Sequence, residues 1–120
     1  MFLAGPPAIA ESAGQAKVKS CQEAGSDQSV IEGRLGLLEG LGPAAFIIPI
    51  PGGLCLKGVA ASDNVRQALS VQLYSVSAEG MQQLYGLAGQ KVVARGRLSG
   101  GSTYQQKAAV LMEVIEIVAR

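Results

Sequence analysis

Val30-Ile31-Glu32-Gly33-Arg34-Leu35 and Val93-Ala94-Arg95-Gly96-Arg97-Leu98 are two versions of one phrase, and their reading decides the fold. In each copy small or apolar residues (Ile31, Gly33, Leu35; Ala94, Gly96, Leu98) alternate with charged ones (Glu32, Arg34; Arg95, Arg97). Alternation with a period of two is the pattern of a strand with one face buried and one in water. A glycine in mid-strand marks a bend or a close approach of two backbones. Two such strands bracketing most of the chain predict a small barrel that they help to close.

Working outward, the segment from about Ser29 to Leu38 reads as the first strand and Glu39–Pro43 as a turn. Ala44–Ile48 reads as a second strand. Proline cannot donate to a ladder, so Pro49 and Pro51 predict an edge, a bulge or a strand end. Pro51-Gly52-Gly53 then turns the chain into a short strand, Leu54–Val59, and Ala60–Asn64 is a polar loop. Leu69, Val71 and Leu73 alternate with Ser70, Gln72 and Tyr74 in the clearest amphipathic strand of the chain. Ser77 is placed to cap a helix with Glu79 in its first turn, Met81, Leu84, Tyr85 and Ala88 on one side, and Gly89 as its stop. Strands follow at Lys91–Leu98 and at about Lys107–Val118, separated by the loop Ser99–Tyr104. The expected fold is mainly β: these six strand segments are read as a five-stranded barrel with one short helix between strands three and four, occupying 21–120 as a single domain. Residues 1–20 read as a flexible leader.

The 120 residues carry 10 basic and 9 acidic side chains, a net charge of +1, which excludes a dominant polyanion-binding surface. The chain has no histidine, so the commonest general base and the commonest metal ligand are both absent. Serines and threonines have no histidine to activate them, and the glycine-rich runs lack the lysine and hydroxyl spacing of a phosphate loop. No catalytic residue, metal site or cofactor is therefore expected.

The amino terminus ends an apolar run in Ala8-Ile9-Ala10, followed by polar Glu11–Gln15, the pattern at the end of a secretory signal without its basic start. Two readings stay open: export to the periplasm or beyond, or a flexible apolar terminus of a cytoplasmic protein. The chain's two cysteines follow the same fork. In an oxidising compartment Cys21 and Cys55 form a disulfide, and otherwise Cys55 is a reduced, buried residue between Leu54 and Leu56. No apolar run approaches the roughly 20 residues of a membrane-spanning helix.

Strand, strand, strand, helix, strand, strand resembles the oligonucleotide/oligosaccharide-binding (OB) fold, in which the first and fourth strands are neighbours. The chain also resembles a family of small exported bacterial domains of unknown function. The resemblance rests on Cys21, Gly33–Leu35, Phe46–Ile50, Leu54-Cys55-Leu56, Gly89–Leu98 and Val110–Ile117. It implies a histidine-rich loop before the last strand, where this chain has Gly100-Gly101-Ser102-Thr103-Tyr104-Gln105-Gln106. Candidate binding residues are Arg34, Arg95 and Arg97, with Lys91, as a basic stripe on the outer face, and Tyr74 and Tyr104 as exposed rings. The functional expectation is a non-catalytic exported module binding a protein, an envelope glycan or a small molecule. The alternative is a cytoplasmic OB domain binding single-stranded nucleic acid through Arg34, Arg95, Arg97, Tyr74 and Tyr104.

Overall fold

The computed structural model describes residues 21–40, 42–101 and 108–120. The described chain is mainly β, a nearly closed, barrel-like sheet of seven strands. They are β1 (Gln22–Glu23), β2 (Ser29–Arg34), β3 (Gly36–Gly40), β4 (Gly42–Lys57), β5 (Val65–Tyr74), β6 (Lys91–Ser99) and β7 (Val110–Ala119). A helix, α1 (Ala78–Leu87), lies between β5 and β6. The sheet runs β1-β4-β5-β7-β6-β2, and β3 pairs with β4.

Seven strands rather than five follow from where the chain changes partners. The first expected strand is two, because β2 pairs antiparallel with β6 whereas β3 pairs antiparallel with β4. At the join, Leu35 turns its backbone away from both: its N–H donates to Gln90 O (2.9 Å) and its carbonyl accepts from Gly89 N–H (2.6 Å). The segments read at Ala44–Ile48 and Leu54–Val59 are one strand, β4, so the two strands beyond five are the split at Leu35 and β1. β4 passes through Pro49 and Pro51 as a bulge, because five steps from Pro49 to Leu54 face only two steps from Ser70 to Ala68 on β5. Gly52 and Gly53 take positive φ there (84° and 88°), and Gln67 Nε2 donates to Gly52 O. β1 has no sequence pattern of its own. It exists because the Cys21–Cys55 disulfide pins it parallel to the end of β4, Gln22 opposite Leu56. With these extra strands, the helix sits between the fifth and sixth rather than the third and fourth.

The two phrases lie side by side, as the resemblance to the OB fold implies. Ile31 faces Ala94 and Ser29 faces Gly96 across the β2–β6 ladder. Ile31, Leu35, Ala94 and Leu98 point into the core beside Phe46, Ile48, Val71, Leu73 and Met112, all under 5% exposed. Neither glycine leaves room for a side chain: a Cβ on Gly96 would stand 2.1 Å from the Glu113 backbone carbonyl oxygen, and one on Gly33 2.7 Å from the side-chain Cγ2 of Ile48.

Leu69 departs from its expected inward position and is 64% exposed. The buried positions on β5 step from Ala68 to Val71 opposite the β4 bulge, where the strand coils and its alternation shifts phase. Helix α1 starts as read, with the Ser77 hydroxyl accepting from Gly80 N–H at 2.9 Å and Gly89 at φ 89° beyond its end. Leu84 is its buried anchor. Tyr85 is 53% exposed and meets the Phe46 ring edge-on, centroids 4.9 Å apart. Gly86 faces open space in this helix. Gly86→Ala should therefore raise the unfolding free energy by about 0.5–1 kcal/mol in a urea titration, by removing chain entropy from the unfolded state.

Candidate functional site

Three adjacent strands bring three side chains abreast. In the β5–β7–β6 registers Tyr74 pairs with Glu113, and Glu113 with Arg97. One residue away, Leu73, Met112 and Leu98 form the equivalent row and are at most 1% exposed. Alternation therefore places Tyr74, Glu113 and Arg97 together on the outer face. They line a groove of about 330 Å³ with Ser99, Asp63 and Ala24.

Each wall of the groove is held by backbone. Ala24 N–H donates to Lys57 O and Gly25 N–H to Leu98 O, both at 2.9 Å, so the segment after the disulfide bridges β4 to β6. The 3-10 turn Ala61–Asp63 docks on the end of β6, where Asp63 Oδ1 accepts from Gly100 N–H at 2.8 Å. Gly100 has no room for a side chain, since a Cβ there would lie 1.8 Å from Ser62 O.

Arg97 Nη1 stands 3.7 Å from Glu113 Oε2, an ion pair at more than hydrogen-bonding distance, with the two side chains 46% and 30% exposed. At that exposure its own stabilisation is small, on the order of 0–1 kcal/mol. Partial burial, and then the Glu113 carboxylate, push the Tyr74 hydroxyl above its usual pKa. The folded protein thus holds this proton more tightly than the unfolded chain. The resulting stabilisation is complete below the unfolded value of about 10 and is lost as pH rises through the folded value. Tyr74→Phe should abolish that part of the alkaline loss of stability, measured by urea titrations on either side of about pH 10.

The expected basic stripe runs along the outer face of β6, where Lys91, Arg95 and Arg97 alternate with buried residues, but its arginines already have partners. Arg95 donates to Asp27 O and pairs with Glu116 at 3.3 Å. Arg34 donates to Gly89 O and faces Lys91 across the ladder, at the far end of β6 from Arg97. Glu32 pairs with Arg120 at 3.0 Å. Of the candidate residues, Arg97 and Tyr74 meet in one groove, Arg95 and Arg34 do not line it, and Tyr104 falls outside the described residues. Glu113 and Asp63 complete the site; in sequence Asp63 is only part of the polar loop Ala60–Asn64, and nothing local singles out Glu113. No signal of spacing links them, because Asp63, Tyr74, Arg97 and Glu113 come from four separate segments.

A second, open cleft of about 640 Å³ runs beside the start of α1, with Ser77, Gln83 and Ile115 on its walls. Among the described residues there is no group of three or more acidic or cysteine side chains able to hold a metal ion, and no helix long and apolar enough to cross a membrane.

No curated protein matches the chain. Residues 70–118, from within β5 to the penultimate residue of β7, match the family model of a domain of unknown function, DUF4431, consistent with an uncharacterised domain family.

Proposed function

We propose that the chain is a non-catalytic, exported binding module built on an OB-like barrel, with the Tyr74–Glu113–Arg97 groove as its ligand site. The OB-like reading counts the bent β2–β3 segment as one strand and β1 as an addition. The remaining pairings are then those of a five-stranded barrel in which strand one touches two and four, and strand three runs parallel to five. Export is supported by the disulfide, which persists in oxidising compartments.

The observation that carries the binding reading is the convergence of an aromatic ring, a cation and two carboxylates on one outer groove. The absence of histidine leaves that groove without the commonest general base, in favour of binding over turnover. Single-stranded nucleic acid is less well served. It needs unpaired cations beside stacked rings, whereas Arg95 and Arg97 already face Glu116 and Glu113.

Photo-crosslinking tests the site on the intact chain expressed in its host. A benzophenone side chain at position 74 should couple to envelope material, and one at the exposed Glu39 position should not. Equal coupling at both positions, or none at 74, would contradict the groove as the site.

A further inference from the structure

We propose that the groove takes an uncharged oligosaccharide, with a sugar ring laid on Tyr74 and adjacent hydroxyls held between Arg97 and Glu113. This rests on the binding-module reading above and names the chemistry of its ligand.

A pyranose has one face of C–H groups and a rim of hydroxyls, each both donor and acceptor. Its complement is an aromatic face beside fixed donors and acceptors. Tyr74 offers the ring, half-buried and so restrained, at the edge of the groove. Arg97 offers only donors and Glu113 only acceptors. Their 3.7 Å separation leaves both short of a mutual hydrogen bond, with valences still open at the surface. Two neighbouring hydroxyls can close that gap, one accepting from the guanidinium while the other donates to the carboxylate.

Charge narrows the class. Arg97 shares the groove with two carboxylates, Glu113 and Asp63, so among the described residues its lining has no net positive charge with which to hold phosphates or an acidic peptide. Asp63 commits one oxygen to Gly100 N–H, which fixes it as a placed acceptor rather than a mobile charge. The volume, about 330 Å³, lies at the small end of ligand sites, and the groove is open to solvent. That geometry suits one or two units of a longer chain passing across the surface.

The test is a titration of the full-length, disulfide-bonded protein followed by amide 1H–15N correlation spectra. The probes are maltotetraose, cellotetraose and chitotetraose, against a tetraglutamate peptide and an eight-residue oligothymidylate. At least one saccharide should shift the amides of Tyr74, Arg97, Ser99, Gly100 and Glu113. Tyr74→Ala and Arg97→Ala should each weaken it by about tenfold or more, a difference of about 1.4 kcal/mol. Tyr74→Phe, which keeps the stacking face, should bind within about threefold of the parent. The same spectra show whether each variant is folded. Groove shifts with the peptide or the oligonucleotide but with none of the saccharides would overturn this inference and leave the module reading standing. Silence of the groove amides with all five probes would overturn both.

Discussion

Replacing Cys21 and Cys55 together by serine should lower the unfolding free energy by about 3–4 kcal/mol, the chain-entropy value for a loop closed across 34 residues. Against a typical total of about 5–15 kcal/mol, that is about a fifth or more of what holds a small domain together. The effect should also be local. β1 is two residues long and is joined to the sheet only along the end of β4. Without the bridge, the bonds from Ala24 N–H to Lys57 O and from Gly25 N–H to Leu98 O lose their tether. Those bonds form one wall of the groove, so ligand binding should weaken together with stability. Urea unfolding gives the first number, and hydrogen exchange at Ala24 and Gly25 gives the second. A variant within about 0.5 kcal/mol of the parent, the scatter of ordinary surface substitutions, would show that the bridge does not restrain the fold in this way.

Gly96→Ala should cost about 2–4 kcal/mol or prevent folding. Overpacking a core normally costs about 1–3 kcal/mol because side chains can swing aside. Here the added Cβ meets backbone, the Glu113 carbonyl at 2.1 Å, and only separation of β6 from β7 can relieve it. The ladder is already irregular at this point, with Arg95 opposite Glu116 and Gly96 opposite Val114, so that Ile115 is the extra residue. The bulge brings the β7 backbone over Gly96, and the next pair along is Arg97 with Glu113. The substitution therefore strikes the core and the groove at one place. Gly86→Ala, which adds the same methyl to open space, is its natural comparison. Equal effects from the two would mean that β6 and β7 do not approach so closely.

The phrase around Gly33 and Gly96 was legible because a strand with one buried face writes its geometry into the sequence with a period of two. Ser77 and Gly89 were legible for a similar reason, since capping is local chemistry. The partner exchange at Leu35 was not. The residue is apolar and in phase with its neighbours, and only its bonds to Gly89 and Gln90, more than fifty positions away, end β2 there. The passage of β4 through Pro49 and Pro51 read as a break, because proline and paired glycines signal turns wherever nothing distant supports them. Gln67 and β5 supply that support. The groove was half legible. Tyr74 and Arg97 stood out as a ring and a cation on outward positions, but Glu113 acquires its meaning only from the strand register. Arg34 and Arg95 show the converse, sharing a sequence pattern with Arg97 while being drawn to Gly89 and Glu116.

The central claim is that β5, β7 and β6 lie side by side in a register that sets Tyr74, Glu113 and Arg97 abreast on the outer face. A slip of one residue would exchange the two faces of a strand, burying Arg97 and exposing Leu98. Cross-strand nuclear Overhauser contacts between backbone protons in the native, oxidised protein measure this directly. The expected contacts join Tyr74 to Glu113 and Arg97 to Glu113, with the Met112 side chain touching Leu73 and Leu98 beneath them. Contacts that instead place Leu98 abreast of Glu113, or that leave β5 unpaired with β7, would contradict it.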